Sequence, residues 1–324
     1  MNINIVDADG ILHQTIFSGG SSEDTVVNDT LIAGTDGDDY LINDKGKKVT
    51  INGYAGNDTI DNTGDNSIID AGAGNDIVSV AGASNVTIRT GDGDNTVYSD
   101  SNGASELVYF GNGKNTIVTS NRNSTIIGGI GGNSLTLHNG SFGSSVRAGS
   151  GNDTVQVGHY DITVDGGNGN DLINLYRDAE NALIIPGTGN DTVTVYNNSH
   201  NQTFQYSGGN DLINGFKASD TLKIVGATSA NTIVSDGNLI FDFGDGSLTL
   251  AGVSSVENVE YLSKWSTIEG GGWAFNSVAQ RDFSGYNNTL KNKKESRLRD
   301  SRAEHGCVSN IFPNVRVHIL AERF

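Results

Sequence analysis

Side chains that carry oxygen recur in this sequence at a nearly constant interval, each at the end of a glycine-rich stretch. We call the Asp or Asn that ends each stretch its anchor. The ten anchors are Asp39, Asp58, Asp76, Asn95, Asn115, Asn133, Asp153, Asp171, Asp191 and Asp211. Consecutive anchors are 18 to 20 residues apart. Charged oxygens repeated in this way, in turns that also present backbone carbonyl groups, are suited to binding hard cations.

Glycine lies where such a turn needs it. It occurs two residues before every anchor, and four residues before the seven anchors from Asp76 to Asp191. Asn is the commonest residue immediately before the anchor, so GAGND at residues 72–76 represents the motif. Because glycine adopts positive φ at little cost, it allows a tight bend that exposes carbonyl oxygens.

The type of ligand selects the metal. An Asp oxygen with carbonyl oxygens from its own turn and from the next coil could supply the roughly six to eight ligands that Ca²⁺ takes, whereas Mg²⁺ requires a smaller, stricter octahedron. Zn²⁺ prefers Cys and His, which these turns lack. The predicted calcium ligands are Asp39, Asp58, Asp76, Asp153, Asp171, Asp191 and Asp211. The Asn anchors keep an oxygen but lose the charge, so we expect weaker or empty sites there.

Apolar residues keep the same register as the anchors and indicate the elements that position them. Seven residues before each anchor lie Ile32, Ile51, Ile69, Ile88, Val108, Ile126, Val146, Val164, Ile184 and Phe204. Two residues after it lie Leu41, Ile60, Val78, Val97, Ile117, Leu135, Val155, Ile173, Val193 and Ile213. The pattern predicts a strand, the motif turn, a second strand and a second turn in every repeat.

These repeats predict an all-β fold, a parallel β-roll or β-solenoid of about ten coils with a β-rich C-terminal cap. Stacked coils would lie ~4.8 Å apart and bury the apolar columns only together. Because the register is fixed around the anchor, the variation in repeat length must fall in the second turn. We call the column of motif turns the motif edge and the column of second turns the variable edge.

The turns GAGND, GSGND, GNGND and GTGND resemble the hemolysin-type, or RTX, calcium-binding repeat, whose signature is G-G-x-G-x-D-x-U-x. The resemblance implies a parallel β-roll in which the seven Asp anchors and turn carbonyls bind Ca²⁺. Only every second turn keeps the motif, which implies a variant with a repeat of about 19 residues and one column of ions. The resemblance also implies type I secretion, an extracellular or bacterial cell-surface location, folding coupled to external Ca²⁺, and a parent adhesin, toxin or surface protein that contacts a cell-surface or matrix ligand.

Four segments are expected along the chain: an N-terminal lead-in at 1–30, the calcium-binding repeats at 31–211, a β cap at 212–262 and a tail at 263–324. The segment NDLINGFKASDTLKIVG, residues 210–226, is similar to the end of many RTX arrays, which supports the cap. The tail is basic and lacks the repeat, so we expect it to be unrelated to the roll or disordered.

The net charge of the chain restricts the classes of molecule that it is expected to bind. Up to Ser263 there are 32 acidic and 10 basic residues, a net charge of −22, which disfavours nucleic acid and anionic lipid and favours cations. Cys307 is the single cysteine, so no disulfide framework is predicted. No apolar run approaches the ~20 residues of a membrane-spanning helix, and the first residues lack a conventional signal peptide.

Two other functions fit a β-solenoid. A metal-free β-helix could be a polysaccharide-active enzyme, but the histidines are scattered and no G-x-S-x-G or other nucleophile motif occurs, so we predict no catalysis. An ice- or surface-binding adhesin would need regular outward ranks of Thr and Asn. The rank three residues before the anchors is too irregular for a lattice match.

Overall fold

The computed structural model describes residues 2–6, 12–16, 28–100, 103–176, 178–196, 199–227, 229–256, 259–262, 266–268, 272–274 and 278–281. Within these residues every regular element is a β-strand, as the repeats predict, and no helix is long and apolar enough to span a membrane. The predicted basic tail, including Cys307, lies outside the described residues apart from its three short strands between 266 and 281.

The strands follow one another in short, regular steps. In chain order they are β1 (Asn2–Val6), β2 (Leu12–Ile16), β3 (Leu31–Ala33), β4 (Tyr40–Asn43), β5 (Thr50–Asn52), β6 (Thr59–Asn62), β7 (Ile68–Asp70), β8 (Ile77–Ala81), β9 (Thr87–Arg89), β10 (Thr96–Asp100), β11 (Leu107–Tyr109), β12 (Thr116–Thr119), β13 (Thr125–Ile127), β14 (Ser134–Leu137), β15 (Ser145–Arg147), β16 (Thr154–Val157), β17 (Thr163–Asp165), β18 (Leu172–Leu175), β19 (Leu183–Ile185), β20 (Thr192–Val195), β21 (Thr203–Tyr206), β22 (Asn210–Asn214), β23 (Thr221–Val225), β24 (Asn231–Ser235), β25 (Asn238–Asp242), β26 (Ser247–Ala251), β27 (Val259–Leu262), β28 (Ser266–Ile268), β29 (Gly272–Ala274) and β30 (Val278–Arg281).

Two long sheets face each other across the core. From β3 to β23, odd-numbered strands form one sheet and even-numbered strands form the other, so each coil contributes one strand to each sheet. Neighbouring coils pair in parallel and in register; Val155 pairs with Ile173, and Ile173 pairs with Val193. The motif turn joins a short strand of one sheet to the following strand of the other. This is the parallel β-solenoid of about ten coils that the sequence predicts.

The core consists of the two apolar columns recognised in the sequence. All twenty predicted positions, seven residues before and two residues after the anchors, are at most 1% exposed. Alternate strand residues face outward, as a pleated strand requires. Each coil contributes only a few buried apolar side chains, so its burial depends on the coils above and below it.

The ends of the roll depart from the parallel pattern. At the N-terminal end β1 and β2 form an antiparallel pair, and β2 then pairs in parallel with β4. At the other end β26 pairs with β22, and β25 and β24 extend the same sheet in antiparallel order. The predicted β-rich cap therefore continues one sheet of the roll. In the other sheet β27 follows β23, and β30 pairs with β27.

Close stacking of the motif turns explains why glycine recurs two residues before each anchor. Gly189 has φ +133°, and a β-carbon on it would lie 1.9 Å from the carbonyl oxygen of Gly169 in the preceding coil. Gly37 occupies the same motif position in the first motif turn. Its β-carbon would meet nothing closer than 3.8 Å.

We therefore expect Gly189→Ala to lower the free energy of unfolding by about 2–4 kcal/mol, because it adds both backbone strain and a steric overlap. Gly37→Ala is the matched control and should change it by less than about 1 kcal/mol. Urea denaturation of both variants in one buffer measures the difference. Equal losses would contradict the stacking of the motif turns.

Candidate metal centre

The ten anchors form a single buried column along the motif edge. Each anchor side chain is between 1% and 3% exposed. The backbone N–H of each anchor donates to the Oδ1 atom of the anchor in the next coil, at 2.6 to 3.1 Å, in an unbroken series from Asp39 to Asp211. One side-chain oxygen of every anchor after the first therefore serves to join two coils, whether the residue is Asp or Asn.

The second carboxylate oxygen of most Asp anchors has no such role. Oδ2 is buried and accepts no hydrogen bond in Asp58, Asp76, Asp153, Asp171, Asp191 and Asp211. Asp39 differs, since its Oδ2 accepts hydrogen bonds from the backbone nitrogen and Oγ1 of Thr35, at 2.5 and 3.0 Å. A buried carboxylate oxygen without a donor is costly, so each of the six requires either a proton or a cation.

The pKa values of these carboxyl groups reflect the missing partner. Burial, opposed by the hydrogen bond from the preceding anchor, raises the pKa of Asp58, Asp171 and Asp211 to about 7 and that of Asp153 to about 6. For Asp171 the neighbouring carboxylates of Asp191 and Asp153 raise it further. Without a cation, a large fraction of these groups would hold a proton near neutral pH.

Carbonyl oxygens converge on the same places. A β-carbon on Gly53 would lie 2.2 Å from Oδ2 of Asp58 and 2.2 Å from the carbonyl oxygen of Ala71 in the next coil. On Gly166 it would lie 2.6 Å from Oδ2 of Asp171 and 2.1 Å from the carbonyl oxygen of Pro186. The absence of a side chain at these glycines leaves room where an anchor oxygen and a carbonyl oxygen of the next coil approach each other.

The Asn anchors identify the carbonyl groups that surround this space. Nδ2 of Asn133 donates to the carbonyl oxygen of Ala148 in the next coil, at 3.0 Å. Nδ2 of Asn95 donates to the carbonyl oxygens of Gly91 and Gly93 in its own turn, at 3.2 and 3.1 Å. In an Asp coil the equivalent carbonyl groups would face a carboxylate oxygen instead of an N–H donor.

This donor set fits a hard cation. The Asp58 and Asp171 sites each offer an unpartnered carboxylate oxygen and a carbonyl oxygen of the next coil, and oxygen ligands are those that Ca²⁺ takes. In the described part of the chain no group of three or more His, Cys, Asp or Glu residues is arranged to hold a metal ion.

The structure places the seven predicted ligands in one column but divides them into two groups. Asp39, Asp58 and Asp76 are adjacent, and the four anchors from Asp153 to Asp211 are adjacent, with the three Asn anchors between them. In six of the seven, Oδ2 accepts no hydrogen bond, whereas Oδ2 of Asp39 accepts two from Thr35.

Sequence reasoning missed a second ladder beside the anchors. The side-chain Oδ1 atoms of the residues one position before the anchor accept hydrogen bonds from the backbone nitrogen of the next coil, which is the opposite direction to the anchor ladder. The accepting residues are Asp38, Asn57, Asn75, Asp94, Asn152, Asn170 and Asn190. The prevalence of Asn at this position was the available signal.

A buried acid on the variable edge was also missed. Glu106 is 2% exposed, and its Oε1 accepts a hydrogen bond from Ser99 Oγ at 2.5 Å. Asn121 donates to the same Ser99 oxygen at 2.6 Å. Burial raises the pKa of Glu106. The second turns differ in sequence from repeat to repeat, so no recurring position marked Glu106 as a buried acid.

Comparison with known proteins gives no family. No protein-family model and no curated protein matches the sequence. Among solved structures, the extracellular lipase LipA from Serratia marcescens is 19% identical with a TM-score of 0.28, over 78% of this chain and 42% of the lipase chain. A tailspike protein variant of E. coli bacteriophage HK620, in complex with a hexasaccharide, is 11% identical with a TM-score of 0.22, over 69% of this chain and 58% of the tailspike. The chain thus spans less than half the length of the lipase, and we derive no function from either likeness.

The raised pKa values predict an unusual pH dependence for the metal-free protein. Each carboxyl group has a higher pKa in the folded chain than its ordinary value of 3.8, so the stability it contributes is fully present below that value and is lost as pH rises through about 6 to 7. We expect the melting temperature in calcium-free buffer to fall between pH 4 and pH 8. In saturating Ca²⁺ it should rise over the same range, because protons compete with the ion. A metal-free melting temperature that rises with pH would contradict the unpartnered oxygens.

Proposed function

We propose that this chain is a calcium-binding structural repeat module whose motif edge becomes ordered as Ca²⁺ binds. The observation that carries the proposal is the buried Oδ2 atom without a hydrogen-bond partner in six of the Asp anchors. Calcium would satisfy that oxygen and the nearby carbonyl groups together. The likeness of the turns to RTX repeats supports the same ion.

Electrostatics supports coupling between binding and folding. Two ionised anchors in neighbouring coils, ~4.8 Å apart, would repel each other by on the order of 3 kcal/mol at an effective dielectric constant of 20. A divalent cation between them removes this repulsion. Since the ion binds the folded roll and not the extended chain, calcium stabilises the fold by mass action.

The position of each site also links successive coils. Oδ2 of Asp171 and the carbonyl oxygen of Pro186 belong to different coils and approach the same space. One bound ion would therefore hold two coils together, and binding at one site would favour the next. Cooperative calcium binding is the expected result.

We further propose that the module acts outside the cell, as part of an exported adhesin, toxin or surface protein, and has no catalysis of its own. External calcium is high and intracellular calcium is low, so the Asp coils of such a chain would become ordered only after export. Type I secretion follows from the likeness to RTX repeats and belongs to this proposal. A metal-free enzyme or adhesin is the alternative that the next experiment separates.

Far-UV circular dichroism during a Ca²⁺ titration tests the proposal. The chelator-stripped protein at pH 8 should give a spectrum of reduced β content, and the missing β signal should appear cooperatively with Ca²⁺ but not with the same concentration of Mg²⁺. A β spectrum that is indifferent to chelator would show that the motif turns need no metal, and would favour the metal-free β-helix.

A single-site variant tests the ligand assignment. Asp171→Ala should raise the calcium midpoint at least tenfold, roughly 1.4 kcal/mol, because it removes the charged ligand between two coils. Asp70→Ala, on the exposed outer face of β7, changes the charge equally and should leave the midpoint within about twofold. Isothermal titration calorimetry measures both. Equal midpoints would remove Asp171 from the set of ligands.

A further inference from the structure

Two coils of this roll provide a direct comparison of Asp and Asn at the anchor. In the coil of Asp171, Oδ2 and the carbonyl oxygen of Pro186 approach the place left by the missing side chain of Gly166, and both are acceptors. In the coil of Asn133, Nδ2 occupies the equivalent place and donates to the carbonyl oxygen of Ala148 at 3.0 Å. The same backbone arrangement is therefore unsatisfied with Asp and satisfied with Asn.

The amides of the other two Asn anchors also donate hydrogen bonds, but to different acceptors. Asn95 donates to two carbonyl oxygens of its own turn. Asn115 donates to the carbonyl oxygen of Gly113 and to Oδ1 of Asn133, both at 3.2 Å. Each amide also accepts the backbone N–H of the preceding anchor, so both ends of the side chain are hydrogen-bonded.

We propose that the amide nitrogens of Asn95, Asn115 and Asn133 stand where a cation binds in the Asp coils, so that these three coils fold without metal and separate two independent groups of calcium sites. The inference rests on the proposed calcium binding of the Asp coils and extends it. The first group contains Asp58 and Asp76, with Asp39 at its end, and the second contains the four anchors from Asp153 to Asp211.

The location of the Asn coils gives them a further role. In a solenoid each coil is stabilised by its neighbours, so order spreads from any segment that is already folded. The Asn coils lie in the middle of the roll, between the two calcium groups. They therefore provide a metal-independent nucleus of three coils on which both calcium-dependent arms assemble.

Reciprocal substitutions test the exchange of amide for cation. In calcium-free buffer at pH 8, Asp171→Asn should raise the melting temperature by about 3 °C, and Asn133→Asp should lower it by a similar amount. Two controls make the same charge changes one position before the anchor, where Asp and Asn serve equally as acceptors. Asp94→Asn and Asn170→Asp should each shift the melting temperature by less than about 1 °C.

Calcium should reverse the effect of the two anchor substitutions. In saturating Ca²⁺ the Asp171→Asn protein should bind one ion fewer than the unaltered protein, and the Asn133→Asp protein one ion more, by equilibrium dialysis. If Asp171→Asn gave no more metal-free stability than Asp94→Asn, or if Asn133→Asp bound no additional ion, the proposal would be overturned.

Hydrogen exchange locates the nucleus in the unaltered protein. In calcium-free buffer the amides of β10, β12 and β14 should exchange at least tenfold more slowly than those of β4 and β20 in the two arms. Uniform exchange along the roll would contradict a metal-independent centre. Both the exchange pattern and the metal-free melting temperatures are measured without calcium. They therefore remain decisive if the unaltered protein proves not to bind calcium at all.

Discussion

The structure depends on the different roles of the two terminal side-chain atoms of each anchor. Oδ1 accepts the backbone N–H of the preceding anchor and so joins neighbouring coils. This bond draws the anchor into a buried column, and the second atom is buried with it. Whatever satisfies that second atom decides the stability of the motif edge. An amide nitrogen satisfies it from within the chain, whereas the second carboxylate oxygen of the six Asp anchors after Asp39 has no donor within the chain.

Much of the fold could be predicted because the anchors recur at a nearly constant interval and the apolar residues keep fixed positions relative to them. Residues such as Ile173 and Val193 keep a fixed distance from their anchors, which specifies strands, register and core together. The caps were harder to predict, since β24 and β25 run antiparallel and lie outside the repeat. The direction of these strands depends on which segment pairs with the last strand of each sheet, and a single sequence gives little information about this pairing.

The candidate site was only partly predictable for a similar reason. The residue types at the anchors indicated the ligands, and the interruption by Asn indicated weak sites. The sequence could not show that Oδ1 is used within the protein, or that Nδ2 of Asn133 finds the carbonyl group of Ala148. Both facts follow from the distance between coils. Glu106 was missed because the polar network around it joins two different coils, through Ser99 in β10 and Asn121 in the following second turn.

Buried polar groups find their hydrogen-bond partners differently at the two edges of the roll. This difference explains at which edge the repeat can change in length. On the variable edge, Asn43 and Asn62 bond to each other across two coils, and each also donates to a carbonyl group of its own turn. On the motif edge, every anchor depends on the next coil. A residue inserted there would break the ladder in both directions, whereas one inserted in a second turn changes a single loop. The spacing of 18 to 20 residues between anchors is thus a consequence of hydrogen bonding. If cations bind along the motif edge as we propose, they would offset part of the net charge of −22 that the chain carries up to Ser263.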